Sequence, residues 1–327
     1  MDELSELEKQ FTKPEDTKAG YSFCDLPLPV SFDSANVTIL GVPIDITTTF
    51  GKTTSSGPQA IRTTSAKQIE TLIFEKSTEI YDKALIYDLG DISFEGSKYN
   101  NIITLDDISF FWRDFDKRIS NILNKLRTLG KIPVVLGGEH TITYSLYKEL
   151  SRNMHPLLLH FDAHRDMKSV YDGMTMCHTT PFFHLIEDGY LKGKDLVQIG
   201  IRQGDKDENR FALKNDVKTF DAWDCNNGLD EVIKWINENT HNRKIYISFD
   251  IDVYDICYLP CTGTPEPYGL DPFQVLELIN SIDESARLIG IDFVETGFKN
   301  DDYREGALAT QTLLRILSGA FMPLLHK

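Results

Sequence analysis

Three segments of the sequence gather side chains that can bind metal ions or move protons: Gly137-Gly138-Glu139-His140, Asp162-Ala163-His164-Arg165-Asp166 and Asp250-Ile251-Asp252. In the second, Asp162, His164 and Asp166 occupy alternate positions, so an extended backbone points all three the same way. The third sets Asp250 and Asp252 on one side of an extended segment, where two carboxylates repel unless a cation lies between them. His140 beside a glycine pair reads, on its own, as a turn residue. Beside the other two segments it completes a set: His140, Asp162, His164, Asp166, Asp250 and Asp252. An excess of carboxylates over imidazoles with no thiolate suits Mn²⁺ better than Zn²⁺ or Fe²⁺. The set is large enough for two metals that share bridging carboxylates.

Each of these segments follows a short apolar run. Such runs recur at 37–40, 84–87, 133–136, 157–161, 196–199, 217–220, 245–249 and 288–293. They are continuous rather than alternating, as strands buried on both faces are. Helical patterns fall between them, at 105–129, 141–150, 228–239, 272–281 and 307–325. The alternation predicts a three-layer α/β/α fold around a mainly parallel sheet of about eight strands, with a barrel as the rival. In such sheets function collects at the carboxyl ends of the strands, where the three segments lie. Residues 1–35 are charged, Pro-containing and weakly periodic, and read as an arm lying over the domain or making a subunit contact. Residues 36–327 read as a single catalytic domain, without repeat, low-complexity tract or linker.

Composition narrows the function classes. The 327-residue chain is 41% hydrophobic and 26% charged, ordinary globular material. Its formal net charge of −16 disfavours nucleic acid and anionic lipid and favours cationic small molecules and divalent metals. An acidic N-terminus without an apolar run, and no membrane-length segment, predict a cytoplasmic protein. Cys24, Cys177, Cys225, Cys257 and Cys261 are an odd set without zinc-like spacing, and read as reduced thiols.

The GGEH segment ending at His140, the FDAHRD segment 161–166 and the SFDIDVYD segment 248–255 resemble, in order, the metal-ligand motifs of the ureohydrolase family. That family includes arginases, agmatinases, guanidinobutyrases, proclavaminate amidinohydrolase and formimidoylglutamase. The likeness also covers segments 41–45, 57–62, 88–91, 199–202, 262–267 and 292–295, running from about residue 36 to the C-terminus. It implies an arginase-like fold and two Mn²⁺ per chain. His140 and Asp166 would hold one metal and His164 and Asp252 the other, with Asp162 and Asp250 shared. It further implies that Glu295 pairs with a guanidinium, which a carboxylate can hold by two parallel hydrogen bonds. His178 would shuttle protons, and Asp166 would pass a proton to the leaving amine. A guanidinium carbon is a poor electrophile, so its hydrolysis at neutral pH needs a strong nucleophile held in place. The implied reaction cleaves a guanidino compound to urea and an amine, agmatine to putrescine foremost. A homo-oligomer, trimer or hexamer, is implied as well.

Several loops depart from the family pattern. Cys261 stands where glycine is expected, Cys177-His178-Thr179 replaces Ser-His-Gly, Thr296-Gly297-Phe298 follows Glu295 in place of Asn-Pro, and the loop 52–56 lacks the usual arginine. These bear on substrate more than on metal. Lys168, if it points inward, would favour a guanidino acid over agmatine. Guanidinobutyrase, arginase and formimidoylglutamase activities are therefore the sibling alternatives. A single-metal deacetylase and a catalytically silent binding protein are the readings from other classes.

Overall fold

A computed structural model describes residues 3–25, 30–94, 102 and 104–322. Aliphatic and β-branched runs become strands wherever both faces can be covered, as in β2 below, where every residue is buried. In chain order the elements are α1 (Glu3–Glu8), β1 (Phe11–Thr12), β2 (Val37–Val42), α2 (Gly57–Lys67), β3 (Leu72–Ile73), β4 (Thr78–Glu79) and β5 (Ile86–Ile92). They continue with α3 (Leu105–Thr128), β6 (Ile132–Gly137), α4 (Ile142–Leu150), β7 (Leu157–Phe161), α5 (Pro181–Glu187), β8 (Leu196–Ile201) and α6 (Lys206–Lys214). The last are β9 (Lys218–Asp221), α7 (Ala222–Asn226), α8 (Asp230–Thr240), β10 (Lys244–Asp250), α9 (Pro272–Asn280), β11 (Arg287–Val294) and α10 (Arg304–Leu317).

One sheet of nine strands, in the order β1-β5-β2-β6-β11-β10-β7-β8-β9, forms the centre. The expected three-layer architecture is present, but the sheet has nine strands rather than about eight. The extra strand is β1, which pairs antiparallel with the edge strand β5, Phe11 opposite Ile92. Two residues are too short to read as a strand from sequence; pairing along an open edge stabilises them. The other strands run parallel. Two cores cover the two faces. Ile61 of α2, Ile236 of α8, Leu278 of α9 and Leu313 of α10 pack on one. Leu7 of α1, Phe115 of α3, Leu146 of α4, Leu185 of α5 and Ala212 of α6 pack on the other.

The last helix differs from the expected span 307–325. It begins at Arg304 and ends at Leu317, before a turn at Ser318 and Gly319. A side chain at Gly319 would lie 2.3 Å from the Phe321 ring, so the chain folds back there instead of continuing. Residues 323–325 of that expectation lie outside the described residues, as do residues 1, 2 and 26–29 of the arm. No helix among the described residues is long and apolar enough to cross a membrane.

Candidate metal centre and active site

The candidate ligands leave the carboxyl ends of three strands in the middle of the sheet. After β6, Gly138 passes so close to Ile44 that an added Cβ would lie 1.8 Å from its carbonyl oxygen. Only glycine lets the chain turn there and deliver His140 inward. After β7 come Asp162, His164 and Asp166, the last at a left-handed φ of 52°. After β10, Asp250 accepts a hydrogen bond from the Asp252 amide at 2.8 Å, which curls 251–253 and turns Asp252 inward.

All six candidate ligands converge. His140 Nδ1 lies 3.0 Å from Asp162 Oδ2, 3.0 Å from Asp166 Oδ2 and 3.2 Å from Asp250 Oδ2. His164 Nδ1 lies 2.9 Å from Asp252 Oδ2 and 3.5 Å from Asp162 Oδ1. Yet His140 Nδ1 and Asp252 Oδ2 are buried without a hydrogen-bond partner among the described residues, because these atoms aim at common points rather than at each other. The tautomer of His140 fits this. Ser248 Oγ donates to Asp292 Oδ1 at 2.7 Å, so it accepts from His140 Nε2 at 2.9 Å. Nδ1 is thereby turned toward three carboxylate oxygens, which, against the opposing effect of burial, hold His140 well above the usual imidazole range in the absence of a cation. No Lys or Arg side chain among the described residues pairs with the four carboxylates, and a cluster so charged and buried needs cations. The donor set fits divalent metals.

The crowding shows in the acidities. Burial, then the charges of Asp252 and Asp162, holds the Asp250 carboxyl well above the usual carboxylate range. Burial and then Asp162 push Asp166 up to about 7. Burial works the same way on Asp162, but the His160, His140 and His164 imidazoles outweigh it and hold its carboxyl low.

Glu295 and His178 flank the cluster. Glu295, at a left-handed φ of 59°, is buried and accepts from the His140 amide at 2.8 Å. Burial, then the charge of Glu139, holds its carboxyl well above the usual range. His178 touches none of the six directly by hydrogen bond. Its amide donates to Thr47 Oγ1 at 3.1 Å, and its Nδ1 lies 3.5 Å from the same atom. Thr47 is in turn held by the buried Glu139, which accepts from the Thr47 amide at 2.6 Å and from the Thr47 and Thr141 hydroxyls at 2.5 Å each. Burial, then the positive charges of His164 and His140, lowers His178 to about 4.

Three supports escaped the sequence reading. The first is a row of buried polar side chains under the ligands: Asp292, Ser248, His160 and Gln198, in register across β11, β10, β7 and β8. One polar residue near the end of each of four apolar strands was the available signal. The second is Arg202, whose guanidinium donates to the carbonyls of Asp252 at 2.7 Å, Tyr254 at 3.1 Å, Glu266 at 2.9 Å and Pro267 at 2.9 Å. It ties the third ligand segment to the following loop. The third is Glu305, at the start of α10, which accepts from the amides of Cys261 and Thr262 at 2.9 Å each and from Gly297. Nothing in its local sequence marks it, since its partners lie on two other loops.

Those loops carry the departures, and two of them, Cys261 and Gly297, lie against each other. A Cβ at Gly297 would lie 2.0 Å from the Cys261 carbonyl oxygen and 2.9 Å from the Cys261 side chain. Glycine at 297 lets the backbone at 261 pass this close.

A cavity of about 320 Å³ opens on the cluster, lined by His164, Arg165, Asp166, Lys168, Thr179, Gln203, Gly204, Asp205, Glu208 and Glu266. Lys168 does reach it, but its ammonium is paired with Asp205 and, at 3.2 Å, with Glu208. These two acids are also the capping box of α6: Asp205 accepts from the Glu208 amide at 2.9 Å, and Glu208 from the Asp205 amide at 2.9 Å. Against Lys168 and Arg165 stand Asp205, Glu208, Glu266 and Asp166, so the mouth is acidic on balance.

With fold and cluster in view, the class is an α/β metallohydrolase. The family follows: a profile of the arginase family matches residues 35–318, and the chain belongs to that family of binuclear metal hydrolases. The chain is similar to the mitochondrial guanidino acid hydrolase of Homo sapiens, with 32% identity over 297 residues, covering 90% of this chain and 80% of that protein. It is similar to the mitochondrial agmatinase of Gallus gallus at 31% over 280 residues, 84% and 77% of the two chains. Its fold matches the proclavaminate amidino hydrolase of Streptomyces clavuligerus with a TM-score of 0.77 and 26% identity, over 91% and 95% of the chains. Relatives of nearly equal similarity thus carry names for different substrates.

Proposed function

We propose that the chain hydrolyses a guanidino compound to urea and an amine, with agmatine, cleaved to urea and putrescine, as the best substrate. The observation that carries the reading is the convergence of six ligand side chains, with the buried Glu295 beside them and an acidic cavity opening over His164 and Asp166. His140 and Asp166 would hold one metal and His164 and Asp252 the other, with Asp162 and Asp250 shared; the donor set favours two Mn²⁺. When bound, such a pair supplies a nucleophile from water at neutral pH and offsets developing negative charge.

The chain's own residues do the rest. Glu295 has one oxygen committed to the His140 amide and a second facing Gly263, where a planar guanidinium can dock. A cation there also relieves the unfavourable burial of a charged carboxylate. Asp166, which borders both the cluster and the cavity, is placed to take a proton and return it to the leaving nitrogen. His178 is neutral at working pH, and its clamp on Thr47 leaves Nε2 to exchange protons with solvent. On the cavity wall Asp205, Glu208 and Glu266 favour a cationic tail, and pairing leaves Lys168 little attraction for a carboxylate. Urea release should be measured over agmatine, 4-guanidinobutyrate, 3-guanidinopropionate, arginine and guanidine with Mn²⁺ supplied. Agmatine should give the highest kcat/KM. Preference for a guanidino acid would overturn the electrostatic reading of the mouth, and no urea from any of them would overturn the activity.

A further inference from the structure

The polar row beneath the ligands carries a directional network. Arg165 can only donate, and its Nη1 donates to Gln198 Oε1 at 2.8 Å. This fixes the amide orientation, so Gln198 Nε2 is the donor both to the Arg165 carbonyl at 2.8 Å and to His160 Nδ1 at 3.1 Å. Because Nδ1 accepts, the ring proton of His160 sits on Nε2. From there it donates to Asp162 Oδ2 at 2.8 Å. Phe182 packs against the imidazole, 4.1 Å between ring centroids, and all of His160 is buried. With both ring nitrogens engaged, His160 has no lone pair left for a metal, although it stands within reach of one beside His140 and Asp162.

We infer that His160 is a positioning residue: held by Gln198 as the Nε2–H tautomer, it fixes Asp162 Oδ2 at the point where the proposed metals share a ligand. The inference rests on the two-metal reading of the site. Its consequence is that metal affinity depends on a hydrogen bond donated from inside the sheet, and that the motif's own Arg165 supports the motif's Asp162 through Gln198 of the neighbouring strand β8. Gln is the informative replacement, since its amide nitrogen can occupy the position of Nε2, whereas Phe keeps ring packing and removes the donor.

The test combines two measurements. Nitrogen-15 NMR of histidine-labelled, metal-free protein at neutral pH should show His160 protonated on Nε2 alone. Calorimetric titration with Mn²⁺ should show His160→Phe weakened about 10–100-fold for at least one equivalent, the usual effect of removing such a partner, while His160→Gln stays near wild type. A Nδ1–H tautomer in the wild type, an unweakened His160→Phe, or equal losses in Phe and Gln variants with intact circular dichroism would each overturn the inference. If His160→Phe does not fold, Gln198→Leu takes its place. It should mix the two tautomers and weaken Mn²⁺ binding, and a single retained tautomer would overturn the proposed lock. Failure of the wild type to take up a second Mn²⁺ would count against the two-metal reading instead, and the metal-free tautomer measurement separates the two failures.

Discussion

The ligand cluster and the rim of loops beside Glu295 are built differently. Asp162 and Asp250 follow strands whose neighbours are fixed by register over several residues, β10 against β7 from Ile245 to Phe249 and against β11 from Lys244 to Asp250. The rim is three loops with no such ladder, fastened by side chains: Glu305 to the amides of 261, 262 and 297, Thr53 to the Cys261 carbonyl at 2.5 Å, and Thr262 to the Glu295 carbonyl at 2.8 Å. A strand end can keep its geometry while neighbouring loops change, whereas the loops are seated directly on one another, a Cβ at Gly297 lying 2.0 Å from the Cys261 carbonyl oxygen. On the proposed function, the strand ends would carry the chemistry and these loops the fit of the guanidino head beside Glu295.

If that division is right, the largest effect comes from a strand-end carboxylate. Asp250→Ala should lower kcat/KM by about a thousandfold or more, a loss of several kcal/mol of charge stabilisation. The circular dichroism spectrum should stay that of the wild type, since Asp250 stands at the edge of a large core. Retained activity above a few per cent would remove Asp250 from its shared position.

His178 lies between the two regions, and acid should reveal it. Burial, with the charges of His164 and His140, places its folded pKa at about 4, below the ordinary histidine value. The folded protein then binds fewer protons than the unfolded chain as pH falls from about 6.5 to about 4. Stability contributed at neutral pH is lost across that window, by about 3 kcal/mol for this one group. Denaturant midpoints of metal-free wild type and His178→Gln should converge on acidification. Parallel curves would mean that His178 is not held neutral in a buried site.

The same division governs what was legible in the sequence. The six candidate ligands stood out because each follows an apolar strand, and alternate residues of an extended chain share a face; no long-range knowledge was needed. His160 and Gln198 were visible as lone polar residues in apolar runs, but their pairing depends on strand order, which periodicity does not encode. Five of the ten helices among the described residues, α3, α4, α8, α9 and α10, were recognisable by their apolar stripe; α1 is a short charged segment, and α2 buries Arg62, Thr64 and Ser65 along with its apolar residues. α5 and α7 were too short to show one, and α6 is too polar, with only Glu208 and Ala212 buried. Glu305 was illegible because its meaning lies in amides more than thirty residues away in one loop and eight away in the other.

Glu295 sits where the regions meet, and its effect should be intermediate. Glu295→Gln should keep both metals yet lose about 10- to 100-fold in kcat/KM, since a charge-assisted pair contributes roughly 1.5–3 kcal/mol. Both kcat and KM should suffer, as the residue binds and orients the same group. Steady-state kinetics with metal analysis of the same sample decides it, and an unchanged kcat/KM would mean that Glu295 does not face the guanidinium.

The smallest effect should come from the rim alone. A methyl at Gly263 would lie 3.3 Å from the Gly51 carbonyl oxygen, 3.7 Å from Glu295 Oε2 and 3.8 Å from Thr54 Cγ2. It fits with a shift of a few tenths of an ångström, but into the space beside Glu295 where the substrate head would rest. Gly263→Ala should therefore raise KM by roughly fivefold, about 1 kcal/mol of overpacking, with kcat and Mn²⁺ stoichiometry nearly unchanged. Gly297→Ala provides the contrast, because its methyl would meet the Cys261 carbonyl at 2.0 Å and force both loops to move. That variant should lose stability as well as affinity, and Cys261→Gly cannot rescue it, since the clash is with backbone. If Gly263→Ala instead lowers kcat as much as KM, the rim is setting the geometry of the reaction itself, and the separation between strand-end chemistry and loop-borne selectivity fails.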